Sequence, residues 1–181
     1  NIVFAGTIGE SQGFEDIVEA AKLTLNTSIN WILIGDGRKR DWIKNQIEYF
    51  NITNIYLPGR YPLESMPLYF ASADCLLITL KKDKVFSNTL PAKLQPYLTS
   101  GKPILGNLSG EGLDIINNNS IGLGCDPGDP IQLAKLATEI SFFSKTKLLE
   151  IEKSCLKLNN GVFSKEKIFQ TLLAEIKSYH K

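Results

Sequence analysis

Short apolar runs that stop at a glycine or a polar break alternate along this chain with amphipathic stretches, and that alternation restricts the fold more than any other feature. Residues 2–5, Ile-Val-Phe-Ala, are β-prone and end at Gly6. A helical pattern follows, with Phe14, Ile17, Val18, Ala21 and Leu25 at helical spacing. Further strands are predicted at 31–34, stopped by Gly35-Asp36-Gly37, at 54–57, ended by Pro58-Gly59, and at 75–78, 103–105 and 121–124. Between them, Trp42, Ile43, Ile47 and Phe50 share one helical face, and helices are expected at 64–72, 91–99 and 112–118. Residues 81–89 are polar and aperiodic, so they read as a loop. Asp129 followed by Pro130 is an N-cap with proline at the first helical position, opening a helix buried through Ile131, Ala134, Leu136, Ala137 and Ile140. Helices at 146–156 and 165–179 finish the chain.

Strands alternating with helices at this spacing form a parallel sheet covered on both faces. Right-handed crossovers then give an α/β fold: a Rossmann-like, doubly wound sheet of about six strands with helices on both faces. The 181 residues suit one domain spanning 1–181. In open α/β sheets ligands bind at the carboxyl ends of the strands, near a topological switch point. Gly6, Gly35, Gly59 and the loop after Ile78 all lie at such ends.

Composition removes several classes of function. Twenty basic residues face nineteen acidic ones, which leaves no electrostatic footprint for nucleic acid. Cys75, Cys125 and Cys155 are far apart and odd in number, which argues against a disulfide framework or a zinc site and for reduced thiols in a cytoplasmic protein. His180, the one histidine, sits beside the C-terminus, so a Ser-His-Asp or Cys-His mechanism has poor support. No apolar run approaches the roughly 20 residues that span a bilayer. The chain begins at Asn1, already at the edge of its first strand, so we expect its native N-terminus to lie upstream.

The loop Gly6-Thr7-Ile8-Gly9-Glu10-Ser11-Gln12-Gly13 joins the first strand to the first helix. Its glycines let backbone approach a ligand, and the helix start behind it favours an anion. It reads equally as a diphosphate seat and as a flexible turn. It matches neither the phosphate-binding Gly-Lys-Ser/Thr loop nor the dinucleotide G-x-G-x-x-G pattern. Arg38, after Gly35-Asp36-Gly37, can reach an anion or stay solvated. The stretch Phe86-Ser87-Asn88-Thr89-Leu90-Pro91-Ala92-Lys93 is the most informative, a polar loop running into a helix start. Ser87, Asn88 and Thr89 can bond sugar hydroxyls or phosphate. Lys93, placed in the first turn of that helix, opposes the helix dipole, and a bound anion would rationalise it as well as solvation does.

These segments in this order resemble the C-terminal domain of GT-B glycosyltransferases of family four, the group 1 type. The resemblance covers nearly the whole chain. It rests on Ala5-Gly6 and Gly13, Ile32-Leu33-Ile34-Gly35-Asp36-Gly37, Leu57-Pro58-Gly59-Arg60, the run Met66-Pro67-Leu68-Tyr69-Phe70-Ala71-Ser72-Ala73-Asp74, Ser100-Gly101-Lys102-Pro103-Ile104, and Asp126-Pro127-Gly128-Asp129-Pro130. The Asn88-Thr89-Leu90-Pro91-Ala92-Lys93 stretch resembles a subgroup acting on amino and deoxy sugars of bacterial surface polysaccharide.

The resemblance implies one half of a GT-B fold: a domain that binds a nucleotide-sugar donor, with a UDP-linked N-acetylated amino sugar as the expected donor. It implies a retaining transferase with no metal and no cofactor. An N-terminal domain absent from this chain would supply acceptor contacts and touch the inner face of the bacterial membrane. Gly6, Thr7, Gly9, Gln12 and Lys93 would face the diphosphate, Arg60 and Tyr61 the base, and Asn88, Thr89 and Leu90 the sugar and diphosphate. The last helix, with Ile168, Leu172, Ile176 and Tyr179 on one face, would expose an apolar stripe and let the isolated chain self-associate. The chain departs from the family where Thr7 and Gln12 stand for an arginine and a lysine, and where Asn88 and Pro96 stand for a spaced pair of glutamates. Pro96 would also bend its helix. A degenerate, non-catalytic domain acting in assembly is the main alternative, and an epimerase-like domain of the same fold is another.

Overall fold

The structure is a computed structural model and describes residues 1–87 and 89–178. The expectations for Asn88, Tyr179 and His180, and for the side chain of Ile168, lie outside the described residues. Six strands form one sheet: β1 (Ile2–Thr7), β2 (Trp31–Asp36), β3 (Ile55–Gly59), β4 (Cys75–Thr79), β5 (Ile104–Asn107) and β6 (Gly122–Cys125). All neighbours are parallel and the spatial order is β3-β2-β1-β4-β5-β6, which is a doubly wound sheet with its switch point between β1 and β4.

Nine helices are described: α1 (Phe14–Leu23), α2 (Arg40–Phe50), α3 (Met66–Ser72), α4 (Lys84–Ser87), α5 (Leu94–Ser100), α6 (Glu111–Asn118), α7 (Pro130–Ser141), α8 (Lys145–Asn160) and α9 (Lys165–Ser178). Side chains alternate across the strands, so the sheet divides the core in two. Phe4, Trp31, Leu33, Leu77 and Leu105 pack with Phe14 and Ile17 of α1, Ile43 of α2 and Leu133 and Ile140 of α7. Val3, Ile34, Leu76, Ile78 and Ile104 pack on the other face with Phe70 of α3, Tyr97 and Leu98 of α5, Ile116 of α6 and Ile151 of α8. The Asp129 carboxylate accepts from Gln132 N at 2.9 Å, the cap expected at the start of α7.

Three expectations change. Residues 81–89 are not wholly loop, because 84–87 close one helical turn. The helix expected at 91–99 begins at Leu94, which makes Lys93 its cap rather than part of its first turn. Pro96 stands third in α5, where its missing N–H has no helical acceptor to lose, so the proline sits without breaking the helix. Of the apolar stripe expected on α9, Leu172 and Ile176 are exposed, and Phe169 and Leu173 are exposed as well. The cysteines are free and buried, and burial pushes each thiol up to about 12. No helix among the described residues is long and apolar enough to cross a membrane.

Candidate functional site

At the switch point the two central strands part. β1 pairs with β2 from Ile2 through Thr7, but with β4 only at Ile2 and Val3. Beyond Val3 the sheet opens into a crevice, and helix α5 fills its floor. The Tyr97 hydroxyl accepts the Ala5 N–H at 3.2 Å, in place of a strand. One turn earlier on the same helix side, Lys93 reaches the β1 end. Its Nζ donates to Gln12 Oε1 at 3.1 Å and lies 4.6 Å from the centroid of the Phe4 ring. Its Cε would stand 2.8 Å from a Cβ on Gly6, whose φ is +150°, so only glycine leaves room for the lysine there.

Lys93 is the electrostatic centre of the crevice. Among the described residues no carboxylate pairs with it. Burial alone lowers its pKa to about 8. An ammonium carries three donors, and one of these is used by Gln12. A ligand anion at this point would restore the solvation that burial removes.

The loop at 6–13 is held from both sides. Ile8 N donates to Asp36 O at 2.8 Å and Lys39 N donates to Ile8 O at 3.0 Å, which ties the loop to the turn after β2. On the other side Thr79 Oγ1 donates to Gln12 O at 2.6 Å and Lys81 N donates to Ser11 O at 2.8 Å. These bonds anchor the loop backbone at Ile8, Ser11 and Gln12. The start of α1 is less open to an anion than expected, because its first turn carries Glu15 and Asp16. Glu15 pairs with Lys39 at 2.6 Å, and Lys39 also reaches Glu10 at 3.2 Å, so that cation is already neutralised.

The structure therefore brings together Gly6, Gln12 and Lys93, with Thr7 exposed at the end of β1 and Gly9 capping the short 3-10 turn Glu10–Gln12. Arg60 and Tyr61 follow β3, two strands away, where Tyr61 packs on Tyr69 with ring centroids 4.7 Å apart. Thr89 donates its hydroxyl to Phe86 O at 3.2 Å, so it serves its own turn, and Leu90 is exposed. Arg38 is solvent-exposed. Pro96 lines a groove against α3 with Pro67, Phe70 and Thr99.

The sequence reading missed Tyr97, Thr79, Asn107 and Asp16. Asn107 Nδ2 donates to Asp16 Oδ2 at 2.9 Å and to Thr79 Oγ1 at 3.2 Å. A usable signal was present: Thr79 and Asn107 are polar residues closing apolar strands, at the sheet end where ligands bind. A cavity of about 720 Å³ lies at the opposite pole against Asn1, Asp74, Lys102 and Glu152. Those residues adjoin the amino ends of β1, β4 and β5, so strand polarity favours the Lys93 crevice instead. Among the described residues no group of three His, Cys, Asp or Glu is placed to hold a metal ion.

Comparison with known proteins gives consistent results. The family described as glycosyl transferases group 1 matches residues 1–148. The probable glycosyltransferase WbjE of Pseudomonas aeruginosa is 32% identical over 158 residues, which cover 86% of this chain and 39% of that protein. The putative colanic acid biosynthesis glycosyl transferase WcaI of Escherichia coli (strain K12) is 27% identical over 100 residues, 55% of this chain and 24% of that protein. The crystal structure of Anabaena Alr3699/HepE in complex with UDP superposes with a TM-score of 0.82 at 17% identity, covering 98% of this chain and 48% of that one. The chain thus spans less than half the length of each of these three proteins.

Proposed function

Because this chain belongs to the glycosyl transferases of group 1, we propose that it is the donor-binding domain of a longer, two-domain transferase that takes sugar from a nucleoside diphosphate sugar. The observation that carries this reading is the Lys93 ammonium, buried without a carboxylate and set against the Gly6 backbone at the switch-point crevice. A diphosphate supplies the anion that this cation lacks. Lys93 takes over the charge that Thr7 and Gln12 do not provide, and Gln12 becomes the side chain that aims it. The anchored 6–13 loop offers backbone to the phosphates at a reduced cost in ordering.

Arg60 and Tyr61, beyond β2 on the same end of the sheet, suit the base, and Asn88, Thr89 and Leu90 suit the sugar. UDP is the nucleotide to try first, because the Anabaena protein, alike in fold, has been crystallised with UDP. An N-acetylated amino sugar as the donor group, retention at the anomeric carbon and independence of metal complete the reading. The acceptor side belongs to an N-terminal domain, and the Escherichia coli relative, named for colanic acid biosynthesis, supports the reading of a bacterial polysaccharide as the product. The exposed face of α9 serves that second domain, or self-association of the isolated chain.

Calorimetric titration with UDP, GDP and ADP tests the proposal, with Lys93→Ala as the control. One nucleotide should bind, and the variant should lose about tenfold or more in affinity, the worth of one charge-assisted hydrogen bond. A folded chain that binds none of the three, alone or joined to its N-terminal domain, refutes it. The absence of an acidic side chain at Pro96 and of a loop cation at Gln12 favours a second reading, a domain kept for assembly alone, and that result would select it.

A further inference from the structure

Thr79 and Asn107 close β4 and β5 and are 1% and 0% exposed. The Thr79 hydroxyl has one proton and gives it to the Gln12 carbonyl at 2.6 Å. It must then accept from Asn107 Nδ2, which lies at 3.2 Å. The same Nδ2 donates to Asp16 Oδ2 at 2.9 Å, and that oxygen also accepts the Gly128 N–H at 2.8 Å. The carboxylate fixes which way the amide points, because the amide oxygen in that place would face a negative acceptor. As a consequence Asn107 Oδ1 is buried with no partner among the described residues. A buried amide with one end unsatisfied is a costly occupant of a strand end that an apolar residue could fill. What it secures is the hydroxyl that holds Gln12, whose own side chain holds Lys93.

From these contacts we propose that Thr79, oriented by Asn107 and Asp16, is a positioning residue for donor binding: it fixes Gln12 and, through Gln12, the Lys93 ammonium beside Gly6. The inference rests on the reading of that crevice as the seat of the donor phosphates. The relay joins the ends of β4 and β5, the first turn of α1 and the loop after β6 to a single loop carbonyl. It touches no ligand itself.

Thr79→Val removes the hydroxyl at nearly constant volume, and Thr79→Ser restores it. Competitive acetylation across pH, resolved by mass spectrometry, reads the titration of the Lys93 amine with no ligand present. UDP calorimetry reads the seat. Thr79→Val should raise the Lys93 midpoint by about one unit, as the amine gains solvent, and weaken UDP about tenfold. Thr79→Ser should return both to the wild-type values. A folded Thr79→Val with wild-type acetylation and wild-type UDP affinity overturns the proposal, and so does a folded Thr79→Ser that matches Thr79→Val. If Thr79→Val does not fold, Asp16→Asn tests the relay from its half-buried end, where the same shift supports it and none overturns it. If wild type binds no UDP, the donor reading fails, and the acetylation experiment alone decides the relay.

Discussion

The hydroxyl of Tyr97 accepts the backbone N–H of Ala5 at 3.2 Å, so a helical side chain stands where a strand neighbour would be. This contact lets β1 and β4 part without orphaning a strand donor at the mouth of the crevice. Tyr97→Phe keeps the ring, which packs edge-on against Phe70 at 5.1 Å, and removes only the acceptor. The N–H of Ala5 is then left half-buried and unpaired, which costs about 1–3 kcal/mol. Urea unfolding should show a lower midpoint with an unchanged slope. Equal midpoints would mean that water reaches Ala5.

Gly35 on β2 lies beside Gly6 on β1, in matched register. Its φ is +143°, and a Cβ there would overlap the Gly6 carbonyl oxygen. Gly35→Ala must therefore push β1 and β2 apart at their carboxyl ends, which costs about 1–3 kcal/mol for overpacking with further strain from φ. Because Gly6 backs Lys93, the substitution should weaken UDP as well as lower the melting temperature. A variant that melts lower yet binds UDP as tightly as wild type would detach the glycine from the site.

Much of this fold was legible in the sequence, because buried parallel strands need no partner-specific chemistry beyond apolar runs and glycine stops. The run Cys75-Leu76-Leu77-Ile78 read as a strand and Asp129-Pro130 as a helix start, and both are so in the structure. Lys93 and Gln12 were both expected to face the donor, but their contact with each other was not legible, since 81 residues separate them. Their contact depends on how far β1 and β4 diverge, which no local pattern encodes. Tyr97 had no role in the sequence reading, and its hydroxyl acquires meaning only from the parting of those strands. Thr79 and Asn107 did carry a signal, as polar residues closing apolar strands, but their contact with each other, across 28 residues, was not legible.

Thr24 anchors a buried polar cluster at the other end of the sheet. Its hydroxyl donates to Ala20 O at 3.0 Å and accepts from Trp31 Nε1 at 3.1 Å and Asn54 Nδ2 at 3.3 Å. Thr24→Val keeps the shape and leaves a fully buried indole N–H without an acceptor. We expect a loss of about 1–3 kcal/mol in urea unfolding. UDP affinity should not change, since Trp31 begins β2 and the crevice lies at the strand's far end. A matching loss of UDP affinity would show that the two poles are coupled.

The pH dependence of the empty chain follows from Lys93. Its pKa is near 10.5 when exposed and is lowered to about 8 in the crevice by burial. Between these values the unfolded chain binds more protons than the folded one, so stability rises with pH across that window. Below about pH 8 the ammonium is charged in both states and the folded chain carries the full desolvation penalty. Above 10.5 the amine is neutral in both states and the penalty is gone. The span is on the order of 1–3 kcal/mol, reduced from its full-burial value because the amine is partly exposed. Lys93→Met removes the titration, so it should be more stable than wild type at pH 7, with the gap closing by pH 10. Thermal unfolding of both proteins across that range measures the gap. A bound diphosphate reverses the effect by favouring the ammonium, so UDP binding above pH 8 should take up a proton. Calorimetry in buffers of different ionisation enthalpy counts that proton. A pH-independent gap and no proton uptake would mean that Lys93 stays solvated, and that the cation of the crevice is not the one the geometry selects.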